Sequence, residues 1–182
     1  AYRGRSVPRL RGAMISPSID GESLRVFGNQ WKANLIRWQL IRTEKFSDNL
    51  DVNAYDRWLT ESLAKLDAAL PLCERYGLRV VLDLHSPPGG KALAGGYAGS
   101  DNGLFTSAEC QAKFVENWRR MAKKYRGVKA IWGYDLANEP VDSAGNEELA
   151  DWQDLAERTA RAIRQIDPDR AIIVEPAPWG GA

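Results

Sequence analysis

Five short apolar runs, separated by longer stretches of helical spacing, limit what this chain can fold into. The runs are RLRGAMIS (9–16), ANLIRWQL (33–40), LRVVLDLH (78–85), AIWGYDLAN (130–138) and RAIIVEP (170–176). In several of them apolar residues stand side by side instead of alternating with polar ones. That is the pattern of parallel strands buried on both faces. The stretches between them have apolar residues at helical spacing. Residues 53–77 read as a helix that stops at Gly77, with a break or kink expected near Pro71. Residues 106–127 open with Thr106-x-x-Glu109, a capping-box pattern, and close with basic residues before Gly127. Residues 146–170 place acids before bases and end in the turn Asp167-Pro168-Asp169, and a weaker helical piece covers 21–29. Strand and helix alternating in this way predict an α/β protein with a parallel sheet.

At 182 residues the chain is long enough for one domain with a core, and no linker, low-complexity segment or repeat divides it. We therefore expect a single domain over 1–182. The formal net charge of +1 gives no field directed at nucleic acid or a membrane surface. No run approaches the roughly 18 consecutive apolar residues of a membrane span. The chain is expected to carry no signal peptide in this form, any such segment having been removed. Cys73 and Cys110 lie on separate helical patterns and read as buried thiols. The lone histidine excludes a multi-histidine metal site, and the glycines at 89–90 and 95–96 lack phosphate-binding spacing. They read as a loop over a cleft.

Polar residues collect at one end of these runs. Arg37 comes late in the second, His85 closes the third, Asn138 and Glu139 close the fourth, and Glu175 closes the fifth. In parallel α/β folds the carboxyl edge of the sheet is where chemistry sits. Side chains there converge on one mouth if the strands start level. A carboxyl group beside an amide and a cation suits general acid–base work. Arg37 would keep a second carboxylate ionised, and Glu139, feeling that charge, would stay protonated and ready to donate. This matches glycoside hydrolysis by two carboxylates. Trp179 and Tyr97 are candidate sugar-stacking aromatics, whereas Trp58, Trp118 and Trp152 sit at helical spacing and read as core. Asp83, two residues before His85, reads as support for its neighbours.

The segments GYDLANEP, LIRWQL, VVLDLHSPPGG and IIVEPAPWGG together resemble the family 5 glycoside hydrolases, the cellulase-type retaining β-glycanases, over essentially the whole chain. The resemblance implies a (β/α)₈ TIM barrel, with Glu139 as general acid/base and Arg37, His85 and Asn138 around the sugar that is cleaved. It implies a β-glucan or related polysaccharide as partner, a secreted protein, and no metal or organic cofactor. The family's nucleophile is a second glutamate at the end of the seventh strand, whereas this chain stops just after its fifth. A whole barrel typically takes about 250 residues. The expectation is therefore the N-terminal portion of a TIM barrel, strands one to five, inactive alone for want of the nucleophile. Glu175 as the nucleophile is disfavoured because a retaining pair must flank the bond at about 5–5.5 Å; it reads as a rim or loop-anchoring carboxylate. An open sheet of this kind also invites self-association or complementation through its edges. The alternative function is a non-catalytic partial barrel acting as a carbohydrate-binding or assembly module.

Overall fold

A computed structural model of the chain describes residues 9–43, 48–90, 102–141, 149 and 151–177. Five strands, β1 (Gly12–Ile15), β2 (Leu35–Gln39), β3 (Arg79–Asp83), β4 (Ile131–Asp135) and β5 (Ala171–Ile173), form one parallel sheet in chain order. Helices α1 (Gly21–Arg25), α2 (Val52–Arg75), α3 (Gly103–Thr106), α4 (Ala108–Tyr125) and α5 (Trp152–Arg164) fall between them. The weak helical piece expected at 21–29 is α1 running into a π-helical turn, Val26–Gln30. The strands are shorter than the apolar runs that announced them. The arrangement is a partial (β/α)₈ barrel, an open sheet whose outer strands are β1 and β5.

The core lies between one face of the sheet and the helices. Ile36 and Trp38 of β2, Val80 and Leu82 of β3, and Tyr134 of β4 are all buried there. Facing them, α2 presents Tyr55, Leu59, Leu63, Leu66, Leu70 and Cys73, spaced three or four apart, and α4 presents Phe114, Trp118 and Met121. Trp118 and Tyr134 pack with ring centroids 5.6 Å apart. Trp152 of α5 is also buried and Trp58 partly so, as expected of core tryptophans. Cys73 and Cys110 are buried free thiols, and burial pushes the Cys73 thiol up to about 11.

Each long helix has a visible start and stop. Asp51 caps α2 by accepting from the amides of Asn53 and Ala54, and Asp151 caps α5 by accepting from that of Asp154. Gly77 and Gly127 follow α2 and α4 in the left-handed conformation, at φ +69° and +79°. Two local expectations are corrected. Of the break or kink expected near Pro71, the break is absent: α2 runs through it, because Pro71 faces solvent and the carbonyl it leaves without a helical donor, that of Asp67, lies on the same wet side. Nor does Thr106 cap α4. Ser107 does, accepting from the Cys110 amide, while Thr106 ends α3 and donates its hydroxyl to the Asn102 carbonyl.

One core residue reaches toward the carboxyl edge of the sheet. The Trp118 indole N–H donates to the Leu136 carbonyl at 3.1 Å, just past the end of β4, and the Leu136 amide donates to the Ile173 carbonyl of β5. The turn that follows is thus anchored on both sides. Trp118→Phe should leave the Leu136 carbonyl buried without its donor and destabilise the protein by about 1–3 kcal/mol, read by equilibrium denaturation.

Candidate active site

Side chains alternate along a strand, so the face of the sheet opposite the core carries its own set. Arg37 and Gln39 of β2 point there, as do Val81 and Asp83 of β3. On β4 the register slips: Val80 pairs with Ile131 but Val81 with Gly133, so Trp132 is an extra, bulged residue. The bulge decides which face Asp135 takes. It sets Asp135 level with Asp83 and Gln39, whereas an unbroken ladder would have put Tyr134 opposite Asp83.

Arg37 binds side chains from three other strands or the turns after them. Its Nε donates to Asp135 Oδ2 at 2.8 Å, and Nη2 to Glu175 Oε1 at 2.8 Å. Nη1 lies 3.0 Å from Asp83 Oδ2 and donates to Asn138 Oδ1 at 3.1 Å. The side chain of Asp83 is fully buried and that of Asp135 is 4% exposed, against 22% for Glu175. One guanidinium therefore faces three carboxylates, two of them out of water.

Burial pushes Asp135 up to about 7, with the Asp83 charge adding to the rise and Arg37 opposing it. Burial also raises Asp83, against the pull of His85 and Arg37. On Arg37 burial acts against the charge, but Asp83, Asp135 and Glu175 outweigh it and the guanidinium is held more firmly protonated. Asp83 Oδ1 and Asp135 Oδ1 are buried with no hydrogen-bond partner among the described residues.

His85 and Asp83 share a third contact. His85 Nδ1 lies 2.9 Å from Asp83 Oδ2 and 3.2 Å from Gln39 Nε2. One nitrogen cannot donate to the carboxylate and accept from the amide at once. The Asp83 carboxylate, at the shorter distance, is the stronger acceptor, so Nδ1 carries the proton and Nε2 is left as the acceptor. His85 is itself mostly buried.

Beyond β4 the chain turns sharply. Asn138 is buried, but the next residue, Glu139, is exposed and has φ +45°. Its amide donates to Glu175 Oε2 at 2.9 Å. Both oxygens of Glu175 are thus engaged, one by a guanidinium and one by a main-chain N–H. The Glu175 carbonyl in turn accepts from the Trp152 indole at 2.8 Å.

The structure brings Arg37, Asn138 and the Glu139 main chain into one network, with His85 joined through Asp83. It gives Glu175 the anchoring position. Trp179 and Tyr97, and most of the glycine-rich loop, lie outside the described residues. Two members of the cluster were not singled out from the sequence. Asp135 sits inside an apolar run, and the signal that finds it is a charge that strand burial cannot tolerate unpaired. Gln39, two residues after Arg37, shares its face by simple alternation. Among the described residues no group of three or more His, Cys, Asp or Glu could hold a metal ion, and no helix is long and apolar enough to cross a membrane.

The raised Asp135 has a consequence for stability. Between about pH 4, the ordinary carboxylate value, and about 7 the folded state keeps a proton that the unfolded state releases. The stability this group contributes is full at low pH and is lost as pH rises through 7. Asp135→Asn should flatten that loss in thermal melts taken from pH 4 to 8; part of the slope remains because Asp83 is raised too.

The comparisons with known proteins bear on the family and the fold. The model of the cellulase family, glycosyl hydrolase family 5, matches residues 6–182. Endoglucanase C of Acetivibrio thermocellus is 31% identical over 117 residues, covering 63% of this chain and 31% of that protein. A beta-xylosidase of Phanerodontia chrysosporium is 32% identical over 120 residues, covering 63% of this chain and 24% of that one. The chain therefore spans less than a third of the length of these two curated relatives. The catalytic domain of the major endoglucanase from Xanthomonas campestris pv. campestris shares the fold, with a TM-score of 0.66 at 24% identity over 98% of this chain and 59% of that one. With a family match over nearly its whole length and a partial barrel whose polar cluster lies at the carboxyl edge, the chain belongs to glycosyl hydrolase family 5, the cellulases.

Proposed function

We propose that this chain carries the proton-donating half of a retaining β-glycanase site that hydrolyses a cellulose-like β-glucan. The observation that carries the reading is the Arg37 network, which gathers Asn138 and the carboxylates of three strands beside the exposed Glu139. In this reading Glu139 is the general acid/base. It protonates the glycosidic oxygen as the bond breaks, then takes a proton from the water that completes the reaction. Arg37 holds the Asn138 amide with its oxygen toward the guanidinium, and Asn138 contacts a hydroxyl of the sugar being cleaved. His85, oriented by Asp83, offers Nε2 to a second hydroxyl. Trp179 stacks on a neighbouring ring.

The attacking carboxylate belongs to a part of the barrel beyond β5. A retaining pair has to flank the scissile bond at about 5–5.5 Å, and Glu175 already has both oxygens occupied on the Glu139 side of the sheet. Residues 1–182 by themselves are then inactive, and a protein acting on a polymeric glucan works outside the cell.

Hydrolysis of an aryl β-cellobioside by the full-length protein tests this. Glu139→Ala should lower turnover by about 10²–10⁴, and azide should restore part of it while forming the β-glycosyl azide with retained configuration. Full activity in Glu139→Ala would sink the acid/base assignment. No turnover from the unsubstituted protein with its barrel complete would favour a non-catalytic carbohydrate-binding module.

A further inference from the structure

We infer that Glu175 is the positioning residue for Glu139: its carboxylate locks the Glu139 main chain in a conformation that residue would otherwise abandon, and so sets where the proton donor points. The inference rests on the reading of Glu139 as the acid/base.

The argument begins with strain. Glu139 has φ +45°, in the left-handed region, where a side chain other than glycine crowds its own backbone at a cost of roughly 1–2 kcal/mol. The next residue is Pro140, and a residue before proline is restricted to extended conformations. Two independent steric terms thus disfavour the backbone seen here. Such a conformation persists only where its surroundings over-determine it. What meets Glu139 is the 2.9 Å hydrogen bond from its amide to Glu175 Oε2. A main-chain N–H bound to an ionised carboxylate is among the stronger hydrogen bonds.

Glu175 is itself held in place. Arg37 Nη2 grips Oε1, and the Trp152 indole N–H grips the Glu175 carbonyl. The carboxylate has one oxygen for each of two donors. That geometry explains why a carboxylate stands here and not an amide. A glutamine offers a single oxygen, and its NH₂ would face either the Arg37 guanidinium or the Glu139 amide. An aspartate is one methylene too short to span both. The contact joins residues 36 apart in sequence, so the donor's aim is set from β5 and α5 as well as from its own strand. Misplacing a catalytic group by about 1 Å can lower a rate 10²-fold, which is the scale on which this latch matters.

The test uses the full-length protein with Glu175→Gln, a near-isosteric change. Two readouts are followed: the backbone amide of Glu139 by ¹⁵N NMR with hydrogen exchange, and kcat/KM on aryl β-cellobiosides with good and poor leaving groups. The expected result is a shifted, faster-exchanging Glu139 amide. With it should come a loss of about 10–10² in kcat/KM for a poor leaving group, which needs the acid, and much less for dinitrophenolate, which does not. Pro140→Ala in the same background lifts the pre-proline restriction on the Glu139 backbone and should recover part of the lost rate. An unchanged Glu139 amide, or equal losses for both leaving groups, overturns the inference. A shifted amide in Glu175→Gln together with a fully active Glu139→Gln upholds the contact and overturns the acid/base reading instead. Should Glu175→Gln fail to fold, the Glu139 amide of the unsubstituted protein still decides: a carboxylate-bound N–H exchanges slowly and resonates downfield, and a solvent-like amide overturns the proposal.

Discussion

A single guanidinium, that of Arg37, ties the carboxyl ends of four strands together. It faces Asp83, Asp135 and Glu175 at 2.8–3.0 Å and also the Asn138 amide. Two of those carboxylates are out of water, where an unpaired charge is expensive and a paired one stabilises little more than it has lost in hydration. The cluster is therefore poorly explained as a device for stability. Burial displaces Asp83 and Asp135 upward, and neighbouring carboxylates add to the rise. What the cluster supplies is position. Each member is held by at least one other, and Arg37 is the member they have in common.

Sheet geometry makes the cluster possible. The parallel register puts Gln39, Asp83 and Asp135 on one level, and the bulge at Trp132 turns Asp135 to the same face as the other two. The opposite face is apolar and packed against α2 and α4, so the strands have no freedom to slip and exchange faces. Packing on one side thus protects charge placement on the other. The same logic extends past the strand ends. Trp118 fixes the turn after β4 through the Leu136 carbonyl, and Trp152 fixes the residue whose carboxylate reaches the Glu139 amide. Two core tryptophans, chosen by packing, each hold one side of the candidate site.

Much of the fold was legible in the residues. The apolar runs marked all five strands, and consecutive apolar positions marked them as parallel. Gly77 and Gly127 marked the helix ends because a left-handed residue there favours glycine. Arg37, His85, Asn138, Glu139 and Glu175 stood out because polar groups at the ends of buried strands need a reason to be there. The errors were local competitions. Pro71 sits on the wet side of α2, where the lost hydrogen bond does not break the helix, and Ser107 took the cap from Thr106 because α3 still holds the latter. Asp135 was hidden by its neighbours, since a lone acid inside an apolar run looks the same whichever face it takes.

Chain chemistry by itself determined the number and order of the strands and the long helices between them, because burial periodicity and turn residues act over a few positions. It also pointed to Arg37, His85, Asn138, Glu139 and Glu175 at the carboxyl edge, though not to Asp135 or Gln39. Which of them touch was decided only in three dimensions. The bulge that pairs Asp135 with Asp83, the grip of Arg37 on residues up to 138 positions away, and the bond from Glu175 to a strained Glu139 all depend on strand register. Register is a property of two strands packed against a common core, and no local stretch of sequence contains it.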